Sequence, residues 1–427
     1  MSRVVLPGLL TFALVLLGLA ARQGGLVALA VPLVVYVAAS LVFAPAPPVI
    51  VATRHLSRDR IQAGDTVEVQ VEAVNRGPAL EEVHIVDRLP AGLQVAGGHP
   101  SAAAVLGQGE RLLLAYTVVA RRGIYDLEGL DVTAVDPLGL SPRRVEVAVP
   151  GQFIALPAVR RITAPAIRPL RTRGYAGPVP SRQGGSGVDF FGVREYQVGD
   201  PRRAINWRLS ARHAHTLFSN EFERERIADV GLILDARQRS ELGSGGASLF
   251  EHAVHATASL AEAFLSEGNR VGLLIYGGAL HWTVPGYGKL QRERLLRALA
   301  GAHIGESQVF DRLNYLPTRF FAAQSQLILV SPFWPDDAGA MRRLLALGYR
   351  VLVVRPDPVS FERRVLPELP EVDLAARIAH IERALTRRRL QRLGVRVVDW
   401  DVSLPLDRAI RTSIGRVPPI VHAGVLG

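Results

Sequence analysis

Two runs without a charged side chain open the sequence, Val4 to Ala21 and Leu26 to Ala44, joined by Arg22-Gln23-Gly24-Gly25. At 1.5 Å per helical residue each run approaches the ~30 Å of a bilayer's hydrocarbon core. The pattern predicts a transmembrane α-hairpin over residues 1–48, closed by Pro45, Pro47 and Pro48. A cleaved signal peptide is the rival reading, since Arg3 precedes an apolar run, but the second run follows at once and favours two spans. Arg3, Arg54, Arg58 and Arg60 on one side, against Arg22 alone in the loop, predict that the rest of the chain is cytoplasmic and tethered to the inner cell membrane. Pro32 and Tyr36 are compatible with an anchor, and neither span carries an ionisable group of the kind a transport pathway uses.

From residue 49 to 157 the period changes to two. Val67, Val69, Val71 and Ala73 alternate with Glu68, Gln70 and Glu72, as in a strand with one wet face. Further strands are predicted over Glu82 to Val86, Arg111 to Val119, Leu130 to Val135 and Arg144 to Val149. Turn sequences separate them at Asn75-Arg76-Gly77-Pro78, Leu89-Pro90-Ala91-Gly92, Arg122-Gly123 and Asp136-Pro137-Leu138-Gly139. An all-β, immunoglobulin-like sandwich follows from this spacing, with a spacer role as its plainest function.

Residues 227–416 change pattern again. Short apolar runs at Val230 to Leu234, Val271 to Tyr276, Leu327 to Val330, Val351 to Val354 and Val395 to Val398 alternate with amphipathic stretches, as in a doubly wound α/β domain with a parallel sheet. His281 to Val284 reads as an antiparallel edge strand. Helices are predicted over Ser248 to Ser266 and Lys289 to Ala300. A third carries Leu374, Ile378, Ile381 and Leu385 on one stripe, with Arg383, Arg387, Arg388 and Arg389 elsewhere. Residues 417–427 form a tail.

Composition narrows the chemistry. At 48% hydrophobic and 21% charged the 427 residues are not those of a disordered chain, and the absence of cysteine excludes disulfides, thiol nucleophiles and zinc fingers. The net charge is +11, with Lys289 the one lysine. The excess is local: between Arg160 and Arg226 thirteen arginines stand against six acids. This makes residues 158–226 an Arg-rich connector, its glycines at 184, 185 and 187 reading as turn-rich. Within it, Asp200 and Pro201 have the chemistry of a helix start, predicting a helix to about Arg212 with Ile205 and Leu209 inward and Arg202, Arg203, Arg208 and Trp207 forming a cationic, aromatic surface.

The connector reads Arg194-x-Tyr196, Gly199-Asp200, Ile205-x-Trp207 and Ala211-Arg212. In these eight positions over nineteen residues the chain resembles the bacterial "domain of unknown function 58" family, and the hairpin, the sandwich ending in Arg121 to Leu140 and the following domain fit the same resemblance. The resemblance implies a membrane-attached partner of MoxR-type AAA+ ATPases, with those eight residues as the interaction motif. An equally plain reading of the motif is structural: Asp200 caps, Gly199 turns, Trp207 packs, and Arg194 or Arg212 pairs with Glu195 or Glu221.

The α/β domain resembles a von Willebrand factor A domain. Active members of that group bind Mg²⁺ through an Asp-x-Ser-x-Ser loop, a Thr and a later Asp. Here Arg237 and Arg239 replace both serines after Asp235, and Ser331 is followed by Pro332 rather than Asp. A guanidinium beside a lone carboxylate opposes a divalent cation, so Asp235, Arg237, Arg239 and Ser331 are expected to be a degenerate metal site held by an ion pair, with Asp336 or Asp337 within reach. Asp235, Tyr276 and Ser331 should gather beyond the carboxyl ends of the strands, a second candidate surface.

His252 with His255 and His213 with His215 lack a third ligand at suitable spacing, and Gly286-Tyr287-Gly288-Lys289 is not a complete phosphate loop. No GxSxG or HExxH motif occurs. The sequence therefore predicts a membrane-anchored, non-enzymatic adaptor without cofactor, metal or small-molecule substrate, whose partner is a MoxR-type AAA+ ATPase. The alternatives are a metal-dependent, adhesion-type binding domain, and an anionic-lipid or nucleic-acid binder acting through the connector, with nucleic acid the less favoured.

Overall fold

The computed structural model describes residues 5–42, 44, 46–135, 142–167, 179–213, 216–244, 247–307 and 310–414. Arg3, Pro45, the Asp136 to Gly139 turn, His215 and the 417–427 tail lie outside the described residues. The chain divides into two compact units, Met1–Leu156 and Pro157–Gly427.

The first unit begins with α1 (Val5–Ala20) and α2 (Gly24–Val42). Gly18 lets the two helices approach, since a Cβ there would lie 2.7 Å from a methyl of Val27. The two-span membrane hairpin expected from the sequence is not what forms. Uncharged runs of 18 and 19 residues give helices of 16 and 19, because Arg22 turns the chain with φ 51° and α2 opens on two glycines and contains Pro32. Among the described residues no helix is long and apolar enough to cross a membrane, which removes the basis for the inner-membrane placement.

The sandwich follows. Its first sheet orders β1 (Ile50–Leu56), β3 (Thr66–Asn75), β7 (Arg111–Ala120) and β5 (Leu93–Gly98) as β1-β3-β7-β5. Its second orders β2 (Arg60–Gln62), β9 (Arg143–Leu156), β8 (Gly123–Ala134), β4 (Leu80–Asp87) and β6 (Ser101–Leu106) as β2-β9-β8-β4-β6. The strict alternation of β3 sends Val67, Val69, Val71 and Ala73 into a core shared with Val83, Ile85, Leu130, Val132 and Phe153 of the other sheet. The Leu89 to Gly92 turn carries the chain from one sheet to the other. Inside the core, Arg54 donates to Asp87 at 2.5 Å and Tyr116 Oη donates to the other Asp87 oxygen at 2.6 Å. Burial, then the Asp87 carboxylate, push the Tyr116 phenol up, so it stays a donor.

In the second unit the Arg-rich stretch is not a loose connector. β10 (Val179–Glu195) pairs antiparallel with β11 (Phe218–Arg226), and its backbone runs through Gly184 and Gly185 as strand. The α/β sheet orders six strands β16-β15-β12-β17-β18-β19. These are β12 (Asp229–Ala236), β15 (Arg270–Gly277), antiparallel β16 (Leu280–Gly286), β17 (Gln326–Val330), β18 (Arg350–Pro356) and β19 (Arg396–Trp400). A two-residue pair, β13 (Gly243–Ser244) with β14 (Ala247–Ser248), precedes α4. Strands β12, β15, β17 and β18 are buried nearly end to end, as their unbroken apolar runs require. The helices are α3 (Trp207–Ser210), α4 (Leu249–Ser266), α5 (Gly288–Ala300), α6 (Ala338–Ala346), α7 (Pro358–Glu362), α8 (Pro370–Arg392) and α9 (Leu406–Ile414). The molecule is thus multidomain, a β-sandwich followed by an α/β part.

Helix α8 does not pack by its apolar stripe. The stripe of Leu374, Ile378, Ile381 and Leu385 does not cover the sheet; the buried positions are Ala376, Thr386 and Leu390. Arg383 turns inward instead, because Asp357 stands 3.1 Å from its Nε and the carbonyls of Pro332 and Pro356 accept from its other nitrogens.

Candidate functional site

Doubly wound sheets form a crevice where the strand order reverses, outside the carboxyl ends of the two strands that diverge there. Here those strands are β12 and β17, which are paired in parallel from Val230 to Leu234. Asp235 is the penultimate residue of β12, and Ser331 directly follows β17. A third contribution comes from the turn Pro335–Asp337 that leads into α6.

Arg237 occupies the centre. Its Nε and Nη2 donate to the two Asp235 oxygens at 2.8 Å each, and Nη1 and Nη2 donate to the two Asp337 oxygens at 2.9 Å each. Nη1 also donates to the Asp311 carbonyl at 3.0 Å, so all five guanidinium N–H groups are used. Arg237, Asp235 and Asp337 are each essentially excluded from solvent. Burial alone would lower the Arg237 pKa, but its hydrogen bonds to Asp235 and Asp337 outweigh it and hold the cation above its ordinary range.

The surrounding groups fix this fork in place. Ser331 Oγ donates to Asp235 at 2.6 Å and accepts from the Phe333 N–H at 3.0 Å. Buried Phe333 takes φ 58°, a left-handed conformation uncommon outside glycine. Such strain costs on the order of 1–3 kcal/mol and persists where neighbours over-determine it. Arg239 lies at the rim, paired with Asp336 at 2.9 Å and stacked 5.1 Å above Trp334, and it holds the Asp336 carboxyl below the usual range. Tyr276 sits beside Asp235 in register and donates to the Arg312 carbonyl at 2.7 Å. Gly305 bridges to Arg237 across the strand end; a Cβ there would fall 2.7 Å from Gly278 Cα, so only glycine permits this approach. A cavity of about 690 Å³ opens beside Arg237, lined also by Gln238, Glu306, Phe310 and Asp311.

A divalent ion at this place needs hard oxygen ligands converging on one point. The oxygens of Asp235 and Asp337 converge instead on a guanidinium, so the residues present do not fit a magnesium site. Among the described residues no group of three or more His, Asp or Glu is arranged to hold a metal.

The residues from Arg194 to Arg212 form a further candidate surface. Asp200 does not cap a helix running to Arg212, as its position before Pro201 predicts. Its carboxylate bonds Arg194 at 2.7 Å and accepts from the Gln197 N–H at 3.1 Å, closing a turn in which Gly199 takes φ 113°. The Arg194 guanidinium, then the Gln197 N–H, hold the Asp200 carboxyl below its usual range. After it stand a 3₁₀ turn, Arg202–Ala204, and the single-turn α3, separated because Ile205 bridges to Ser219 of β11 in extended conformation. The cap of α3 is Asn206, whose side chain accepts from Leu209 N–H at 2.9 Å and bonds Asn220 of β11. Sequence reading passed over Asn206, although Asn before a Trp-Arg-Leu turn is a recognisable cap signal.

The consequence is outward display. Trp207 is 65% exposed rather than packed, and Arg202, Arg203, Arg208, Ala211 and Arg212 are exposed around it. Tyr196 Oη reaches the Asp200 carbonyl at 3.4 Å. Of the two histidine pairs, His252 packs edge-on to Phe361 and Trp400 and His255 reaches the Ala158 carbonyl, while His213 lies against Phe218.

Residues 192–392 match a family model described as "Protein of unknown function DUF58". The uncharacterized protein YeaD of Bacillus subtilis (strain 168) is 28% identical over 266 residues, which cover 61% of this chain and 64% of that protein. The match thus spans slightly under two thirds of that relative. Among solved structures, a FixG-related protein from Vibrio parahaemolyticus is 13% identical, covering 26% of this chain and 98% of its own, with TM-score 0.18. Native alpha-2-macroglobulin from Escherichia coli is 19% identical, covering 31% of this chain and 20% of its own, with TM-score 0.23. Scores this low carry no argument about fold or function.

Proposed function

We propose that the chain is a non-enzymatic adaptor that binds other proteins, with a MoxR-type AAA+ ATPase as the partner and the turn from Arg194 to Arg212 as the contact. The observation that carries the reading is the exposure of Trp207 among four arginines on a backbone pinned by the Arg194 to Asp200 ion pair and the Asn206 cap. Trp and Arg dominate binding hot spots because they bring large area and directional donors at one place, and a pinned backbone lowers the entropy lost on docking. The second unit is read as von Willebrand factor A-like, with the Asp235 edge as a rigid platform rather than a metal site. Support for that comes from the saturated Arg237 fork, and from Ser331, whose hydroxyl accepts from the Phe333 N–H and donates to Asp235, a carboxylate already held by Arg237.

The test is interferometry with the full chain against the MoxR-type ATPase of the same organism, without nucleotide and with ADP or ATP. Binding in at least one state, weakened tenfold or more by Trp207→Ala with Arg208→Ala, is expected. No binding in any state overturns the proposal. Attraction of polyanions to the same arginines is the second reading; it would give affinity for duplex DNA or acidic vesicles that falls steeply with salt.

A further inference from the structure

Helix α8 is amphipathic in two directions. Ala376, Arg383 and Leu390, spaced by seven, face the sheet. Diametrically opposite, Leu374, Ile378, Ile381 and Leu385 follow a 4-3-4 spacing, the a/d seam of a helix–helix contact, with exposures of 57, 51, 62 and 48%. The inward face is already occupied by the Arg383 to Asp357 pair and the buried Arg355, so the helix cannot roll to hide the stripe without stranding charges. A contiguous apolar seam of this kind left in water marks an interaction surface.

The seam is bounded by opposite charges. Continuing the heptad places Glu371 at the next a position before Leu374 and Arg388 at the next d position after Leu385, both exposed. Set antiparallel to a copy of itself, the seam matches throughout: Ile378 meets the copy's Ile381, Leu374 its Leu385, and Glu371 its Arg388. The flanking positions toward the partner are small at Ala375 and Ala384, permitting close approach. A parallel pairing would place Glu371 against Glu371 and Arg388 against Arg388. Self-complementarity about a two-fold axis is what an isologous interface requires.

We propose that two copies of this chain associate through antiparallel α8 helices, about a two-fold axis passing between Ile378 and Ile381. The seam from Glu371 to Arg388 is about 26 Å long. Its apolar part is short, which places the dimer in the weaker class of interfaces.

The experiment uses the full chain, whose lack of cysteine makes any disulfide report an introduced pair. In the antiparallel dimer Leu374 of one copy faces Leu385 of the other, while the two Leu374 positions are about 16 Å apart. Under mild oxidation, Leu374→Cys mixed with Leu385→Cys should cross-link, and either variant alone should stay uncross-linked. Sedimentation equilibrium should show a monomer–dimer equilibrium weakened at least tenfold by Ile378→Glu with Ile381→Glu. Both positions are exposed, so the circular dichroism should be unchanged. Glu371→Arg should weaken the dimer and Glu371→Arg with Arg388→Glu should restore it. A wild type that stays monomeric to ~100 μM, a dimer indifferent to the Ile378 and Ile381 changes, or a cross-link in Leu374→Cys alone overturns the proposal.

Discussion

Arg237 stands 2.8 Å from Asp235, two residues before it, and donates to both oxygens of that carboxylate through Nε and Nη2. The pair is closed off from water and shares its remaining donors with Asp337 and Asp311. Breaking such a pair from one side leaves an uncompensated buried charge, which costs about 3–5 kcal/mol. Arg237→Ala strands two carboxylates and should therefore lower the unfolding free energy by at least that range in urea titration. Arg237→Lys, a point charge without the planar fork, should recover only part of it. Wild-type protein should show no shift in Tm on adding Mg²⁺, since the guanidinium sits where the ion would.

In the sandwich, Asp87 receives both Arg54 and Tyr116, with the Arg54 and Asp87 side chains fully buried. Asp87→Ala should cost about 3–5 kcal/mol, because Arg54 is left charged in the core. Tyr116→Phe removes one hydrogen bond to a charged acceptor and should cost about 1.5–3 kcal/mol by the same denaturant measurement.

His252 provides a pH dependence. Burial, then the neighbouring His255 and Arg364 charges, hold its pKa below the ordinary 6.5. In the window between that folded value and 6.5 the unfolded chain binds more protons, so stability rises with pH there. The contribution is complete above about 6.5 and is lost as pH falls through the folded pKa. Tm should therefore decline from pH 7.5 to pH 5, and His252→Gln should flatten that decline relative to wild type.

On the proposed reading, the turn from Arg194 to Arg212 separates binding from folding. Asn206→Ala removes the side-chain cap of α3 and should cost about 1 kcal/mol. Asp200→Ala removes one of the partners of Arg194 at a partly exposed site, so the Tm should move little while affinity for the proposed ATPase partner falls. Thermal scanning and interferometry on the same sample distinguish the two effects. Equal affinity in wild type and Asp200→Ala would mean that the turn's geometry is irrelevant to docking.

Much of the fold follows from periodicity alone. Alternation at Val67 to Ala73 places those side chains in the sandwich core, because side-chain direction is set by the strand's own period, and the short unbroken runs at Val230, Val271, Leu327 and Val351, alternating with amphipathic stretches, indicate strands covered on both faces. An ion pair of Asp235 was legible only as far as Arg237 or Arg239; the fold gives Asp235 to Arg237 and turns Arg239 to Asp336 at the rim. The direction that α8 faces was not, because the apolar stripe points inward on local grounds until Asp357, the cap of α7 just beyond β18, draws Arg383 beneath the helix. Nor was the broken helix after Asp200, where Ile205 is claimed by β11, or the failure of two uncharged runs to make spanning helices. Local sequence determined which elements form and what each can bury. Tertiary structure decided which face is buried, because a buried cation must meet its counter-charge and that partner comes from elsewhere in the chain.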